Sequence, residues 1–186
     1  GLSPNYRGER YDVVFPGSEM PEWFSHQCLG NEVNIMERFS PLCNDWIGIA
    51  VCVVFCPLTH HQIRYNPVSC KLSANGKIMS PTLIIDHKVV FSSDHIWLLY
   101  FLPQLFGEED RKILWECDAN GFREIGIKIY NTPTSLVKKC GLRVVYKKDI
   151  EDLSHTVLQC SKNSIIPYEG LKESLNLWPI VNIVRS

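Results

Sequence analysis

Two stretches of this chain, Trp46–Phe55 and Ile96–Leu102, are apolar at nearly every position, and they constrain the fold more than any other feature. A strand with one wet face alternates apolar and polar residues, so a strand without that alternation needs cover on both sides. In the first stretch the odd positions are large (Ile47, Ile49, Val51, Val53, Phe55) and the even ones mostly smaller (Gly48, Ala50, Cys52, Val54). Two apolar faces of unequal bulk predict a central strand with a layer on each side. Neither stretch reaches the ~20 residues that a membrane-spanning helix needs, and Cys56-Pro57 and Pro103 terminate them.

Further strand patterns recur with turn signals between them, as in an all-β sandwich. Tyr11–Phe15 and Val33–Met36 are the first two beyond the apolar pair, and Val68–Ser73 runs into Asn75-Gly76, the strongest short hairpin signal. Thr82–Ile85 and Lys88–Phe91 flank a tight turn at Asp86-His87. Pro103 opens a polar loop from Gln104 to Arg111, after which Ile113, Trp115 and Cys117 share one face of a strand. Asp118-Ala119-Asn120-Gly121 reads as a second hairpin turn, before Phe122–Tyr130 with Ile125, Ile127 and Ile129 facing one way. In Val137–Tyr146, Cys140, Leu142, Val144 and Tyr146 alternate with Lys139, Gly141 and Arg143, the mark of a half-exposed strand. The expected fold class is therefore all-β, an antiparallel β-sandwich.

After Lys148 the apolar residues Ile150, Leu153, Val157 and Leu158 take helical spacing, with acids at the start of that segment. Pro167, Gly170 and Pro179 interrupt the remainder of the chain, so the tail is expected to be partly helical or irregular. The predicted organisation is a linker over 1–10, the sandwich over 11–148 and an extension over 149–186.

The 186 residues suffice for one domain with a sizeable core, and 19 basic against 20 acidic residues leave a net charge of −1. A nucleic-acid binder would carry a basic excess, so that class loses its support, and no membrane segment is present in the pattern. The chain begins Gly1-Leu2-Ser3-Pro4 without an initiator Met or the order of a signal peptide, and reads as a fragment of a longer protein. Eight cysteines are scattered through apolar strand patterns with no Cys-x-x-Cys pair and no Asn-x-Ser/Thr acceptor. That favours reduced thiols in a cytoplasmic protein over a disulfide framework.

No catalytic constellation emerges. Nucleophile elbow, phosphate-binding loop and His-Glu-x-x-His pair are all missing, and the six histidines are dispersed. Ser92-Ser93-Asp94-His95 reads as a polar turn before a buried strand, and His60-His61 as a solvated loop, because adjacent histidines point apart. Lys138, Lys139, Arg143, Lys147 and Lys148 form the densest basic patch, read as a solvated face, with docking of an acidic surface as the alternative. The expectation is no cofactor, no metal and no catalytic residue.

The stretch Val13–Phe24 is the most distinctive. A strand ending in Phe15 meets Pro16-Gly17, then Ser18-Glu19-Met20, and Pro21 opens a short helical turn that places Trp23 and Phe24 over the end of a core. Burying two such aromatics contributes several kcal/mol, at roughly 25 cal/mol per Å². The spacing Phe15-Pro16-Gly17-Ser18-Glu19-x-Pro21-x-Trp23-Phe24 resembles the opening signature of the C-terminal jelly-roll and Ig-like domain (C-JID, or post-LRR domain) of plant TIR-type nucleotide-binding leucine-rich-repeat immune receptors. Trp46–Phe55, Asp94–Tyr100 and Val137–Tyr146 resemble its later strands in matching order, over roughly residues 11–148.

The resemblance implies a jelly-roll or Ig-like sandwich following a leucine-rich-repeat array, a non-catalytic module that helps recognise a pathogen effector. The NAD-cleaving TIR domain, the nucleotide-binding part and the repeats of such receptors are not in this sequence. The implied setting is the cytoplasm, with the nucleus a second location, and the fragment is expected to be monomeric. Its partners would be the effector and the repeat domain of the same receptor. Two other readings stand beside this one: a carbohydrate-binding sandwich, and a structural cap of the repeats. Specificity is expected on loops that packing leaves free. Two loops mix an aromatic with charges: Pro57–Pro67, with His60, His61, Arg64 and Tyr65, and Pro103–Arg111, with Phe106, Glu108, Glu109 and Arg111.

Overall fold

The apolar pattern of Trp46–Phe55 is satisfied by a three-layer arrangement in which that strand lies at the centre of one sheet. A computed structural model of the chain describes residues 9–38, 45–57, 68–85, 93–131 and 135–162. In chain order the strands among them are β1 (Arg10–Pro16), β2 (His26–Leu29), β3 (Glu32–Arg38), β4 (Trp46–Pro57), β5 (Val68–Ala74), β6 (Lys77–Ile78), β7 (Leu83–Ile84), β8 (His95–Phe101), β9 (Phe122–Asn131) and β10 (Ser135–Tyr146). Two α-helices, α1 (Glu108–Leu114) and α2 (Ile150–Lys162), accompany them. The first sheet has the order β1-β8-β4-β10-β2 and the second β3-β9-β5-β6, with β7 also paired to β5. Every pairing among these strands is antiparallel, so the predicted antiparallel sandwich is borne out.

The two faces of β4 serve different layers. Ile49, Val51, Val53 and Phe55 point into the core between the sheets, against Leu72, Ile125, Ile127 and Ile129 of the second sheet. Ala50, Cys52 and Val54 face outward into a second core with Phe15, Phe24, Leu98, Leu153 and Val157. The smaller side chains thus lie under α2 and the Pro21–Phe24 turn, and the larger ones between the sheets. Ile47 departs from its predicted phase. A register shift opposite Val145 and Tyr146 reverses the alternation there, and Ile47 packs with the outer core while Trp46 joins the inner one. β8 is buried along its whole length, as its pattern requires.

Local chemistry explains the turns. Asn75 (φ 50°) and Gly76 (φ 81°) take the left-handed conformations of a two-residue hairpin, joining Ala74 to Lys77. At Asp118, the side-chain oxygen accepts from the amides of Asn120 and Phe122, both at 2.9 Å, and Gly121 takes φ 82°. That turn connects a helix to β9, not two strands. The predicted turn at Asp86-His87 and the strand at Lys88–Phe91 lie outside the described residues, as does the tail beyond residue 162.

The helix read from Ile150, Leu153, Val157 and Leu158 is present as α2, with Leu153 and Val157 fully buried on the first sheet. Its start is organised by Asp149, whose carboxylate accepts from the Tyr146 amide (2.9 Å) and pairs with Arg143 (2.9 Å). The outer face of β10 is consequently only partly wet, short of its pattern. Gly141 and Val145 are buried there, and a Cβ on Gly141 would stand only 2.5 Å from Met20 Sδ and 3.2 Å from Phe24 Cβ. Glycine admits the aromatic turn onto the sheet, which the alternation of charges along β10 did not reveal.

Candidate functional site

The polar segment after Pro103 is helical rather than looped. A 3-10 turn at Pro103–Leu105 leads into α1, whose first turn holds Glu108, Glu109 and Asp110 and whose last holds Arg111 and Lys112. That order complements the helix dipole at both ends. The strand expected at Ile113, Trp115 and Cys117 is therefore absent: the i, i+2 spacing of three apolar residues overlaps a helical pattern in which Ile113 and Leu114 turn inward. Phe106 is also corrected. It is 2% exposed and stacks edge-on against Phe101, with centroids 5.7 Å apart, so its side chain belongs to the core and not to a binding surface.

Glu108 and Glu109 are exposed and Arg111 is half-buried. Asp110 is engaged locally, 3.6 Å from Lys77 Nζ and accepting from the Ser80 amide at 3.1 Å. His60, His61, Arg64 and Tyr65 lie outside the described residues.

A residue that the strand reading hid lies at the end of α1. Trp115, its C-cap, is 43% exposed and meets the buried Trp46 edge-on at 4.7 Å. Helical spacing would have found it, because Glu108, Glu109, Lys112, Trp115 and Glu116 recur at three- and four-residue intervals and all are exposed. Together they make one open stripe of three carboxylates, one ammonium group and one large aromatic.

The stripe stands on a rigid base. Arg123, in phase with Ile125, Ile127 and Ile129, points inward and is 1% exposed. Its guanidinium donates to the Leu114 carbonyl at 2.6 Å and to Glu37 at 3.2 Å, and stacks 4.6 Å from the Trp46 ring. Glu37 also accepts from the Tyr146 hydroxyl at 2.8 Å. One network thus joins α1, β3, β4, β9 and β10. Its physical basis is that a buried guanidinium is tolerated only when acceptors and a counter-charge meet its donors.

The Phe15-Pro16-Gly17 motif turns the chain at the opposite side of the first sheet. The Gly17 amide donates to the Asp94 carbonyl (3.0 Å), and the Phe24 amide to the Pro21 carbonyl (3.1 Å), closing the predicted turn. Phe24 is 1% exposed and meets Trp23 edge-on at 5.0 Å. Trp23 itself is half-buried, with the Arg143 guanidinium 4.3 Å over its ring and donating to its carbonyl at 2.7 Å. The aromatic plug is therefore Phe24, with Trp23 as a lid over it. Glu19, Met20, Pro21, Glu22 and Trp23 line a cleft of about 450 Å³, closed on its other side by Thr156, Gln159 and Cys160 of α2.

The basic patch is only partly free. Lys138 pairs with Asp94 at 2.9 Å, and Arg143 is held by Asp149 and the Trp23 carbonyl. His95 is buried, with its ring Nδ1 2.8 Å from the Ser93 carbonyl, and burial lowers its pKa. Seven described cysteines stand as free thiols. Burial pushes Cys70 and Cys140 up to about 12 and Cys160 to about 11, so these are protonated, unreactive small hydrophobes. Among the described residues no three His, Cys, Asp or Glu side chains are placed to hold a metal ion, and no helix is long and apolar enough to cross a membrane.

Comparison with known proteins bears on the whole frame. The family model described as the C-JID domain matches residues 15–151. Three curated proteins of Arabidopsis thaliana align with the chain. Protein SUPPRESSOR OF npr1-1, CONSTITUTIVE 1 is 24% identical over 145 residues, 77% of this chain and 9% of that protein. Disease resistance protein RPS4B is 28% identical over 159 residues (75% and 13%), and Disease resistance protein RPP2B 25% over 210 residues (91% and 17%). The chain thus spans less than a fifth of the length of each relative. The resemblance read from the four motifs is borne out.

Proposed function

Because this chain belongs to the C-JID domain family, we propose that it is a non-catalytic recognition module of an intracellular plant immune receptor, binding a pathogen effector and packing after the receptor's leucine-rich repeats. The family match over residues 15–151, together with the alignment to proteins named for disease resistance, carries this reading. The geometry supports it in one respect: the α1 stripe offers exposed charge and an aromatic on a base fixed by the Arg123 network. Exposed aromatics with a charged rim are the usual chemistry of protein-binding hot spots. The segment bearing His60, His61, Arg64 and Tyr65 is the second proposed contact, and Arg111 flanks the first. Binding in the cytoplasm, and in the nucleus where the effector enters it, would then bias the receptor toward defence signalling.

Co-precipitation of the chain with a panel of pathogen effectors tests the reading. Neutralisation by Glu108→Gln with Glu109→Gln should abolish capture of the cognate effector while lowering the melting temperature by only a few degrees, since both side chains are exposed and only their favourable contact with the helix dipole is lost. Normal capture by that variant, and by a Tyr65→Ala/Arg64→Ala variant, would refute the assignment of both surfaces.

A further inference from the structure

The central strands of the first sheet are covered on both faces, whereas the outer face of the second is left open by the described residues, and that face holds two lysines in direct register. Lys71 of β5 and Lys128 of β9 are direct register partners. Side chains opposite one another in an antiparallel pair have Cβ atoms only ~4.5–5.5 Å apart, and like charges placed there are destabilising. Tyr130 lies beside them, with its ring centroid 5.2 Å from Lys71 Nζ and 5.5 Å from Lys128 Nζ. Among the described residues neither ammonium group forms an ion pair or a hydrogen bond. Glu32, the register partner of Lys128 on β3, accepts instead from Asn34 at 3.4 Å. The tyrosine face offsets part of the repulsion, but a cation over a ring keeps its full charge.

We propose that the open face of β5 and β9 docks an acidic segment of a protein partner, with carboxylates seated between Lys71 and Lys128 over Tyr130. The flatness of the site selects the partner class. Small ligands are bound in concave sites, whereas this is an open sheet face with two exposed apolar groups, Tyr130 (38%) and Ile84 (41%), flanking Ser69 in one row. A protein segment can use both, laying carboxylates on the lysines and apolar groups on the row beside them. The surface sits at the Ser69 end of β5, whereas α1 is held at the Asn75 end, so it does not depend on the effector reading.

The test is fluorescence anisotropy of a labelled short oligoglutamate peptide titrated with the 186-residue chain at low salt. The wild-type chain should bind, and Lys71→Gln with Lys128→Gln should weaken binding at least about tenfold, the loss of some 1.4 kcal/mol. Lys147→Gln with Lys148→Gln, elsewhere on the basic surface, should bind as wild type. The melting temperature of the Lys71/Lys128 double variant should equal or exceed that of wild type, because a like-charge pair is relieved. Unchanged binding by that variant, a lower melting temperature, or loss on the Lys147/Lys148 side instead would each overturn the proposal. Inorganic phosphate is the final arm: displacement of the peptide at equal concentration would make this a simple anion site and overturn the docking of a protein segment.

Discussion

Arg123→Ala should cost more stability than any surface substitution in the domain. The guanidinium is wholly buried, 3.2 Å from Glu37, and donates to the Leu114 carbonyl at 2.6 Å. Removing one partner of a buried ion pair costs about 3–5 kcal/mol, because the other charge is left uncompensated. Glu37 keeps 21% of its side chain exposed and retains the Tyr146 hydroxyl at 2.8 Å, so it recovers some solvation. That places the loss at the lower end, about 3 kcal/mol, and the stacking lost from Trp46 adds roughly 0.5–1 kcal/mol. Against a typical stability of about 5–15 kcal/mol this is a large fraction, and for a chain of this size it lowers the melting temperature by roughly 7–16 °C. Urea unfolding followed by tryptophan fluorescence measures it, since Trp46 and Trp115 lie in the network. Arg123→Lys should fall between the two, because an ammonium cannot span the carbonyl and the carboxylate as a planar fork does. A loss under about 1 kcal/mol, the size of an ordinary surface change, would refute the network, as would strict additivity with Glu37→Gln.

Other outcomes rest on the same geometry. Phe24→Ala should destabilise by about 3–5 kcal/mol and Trp23→Ala by clearly less, because Phe24 is 1% exposed and Trp23 half-buried; equal losses in urea would contradict the lid arrangement. Phe106→Ala should likewise lower the melting temperature by a core-sized amount, and an unchanged melt would return Phe106 to the surface. Gly141→Ala should cost about 1–3 kcal/mol by overpacking, partly relieved by Met20→Ala, whose sulfur is the nearest obstacle at 2.5 Å; identical losses with and without that second change would discount the contact. The buried thiols predict alkaline destabilisation. Their folded pKa values are raised from 9.0 to about 12 for Cys70 and Cys140, so their contribution is complete below pH 9 and disappears as pH rises toward 12. Melting temperature measured from neutral pH upward should fall above that lower bound, and Cys70→Val should shrink the fall.

What this sequence determined alone was whatever its local periods and turn chemistry encode. The apolar runs of β4 and β8 carried their central, doubly covered positions, because a strand without polar residues has no wet face to offer. Asn75-Gly76 carried its hairpin through left-handed backbone angles, and the 150–158 spacing carried α2. The family could be read because its motif residues occupy turn and core positions in a fixed order. Tertiary structure decided what depends on residues far apart in the chain. The inward turn of Arg123 was legible from its phase with Ile125, but the partners that make its burial tolerable come from Glu37, Trp46 and Leu114 on three other elements. α1 was misread because three apolar residues at i, i+2 spacing fit both a strand and a short helix, and only the packing of Leu114 and Phe106 against Phe101 and its neighbours separates the two. The same limit applies to surfaces. Lys71 and Lys128 are 57 positions apart in sequence, and pairing of β5 with β9 is what brings their charges face to face, since strand register is a property of the folded sheet and not of either strand.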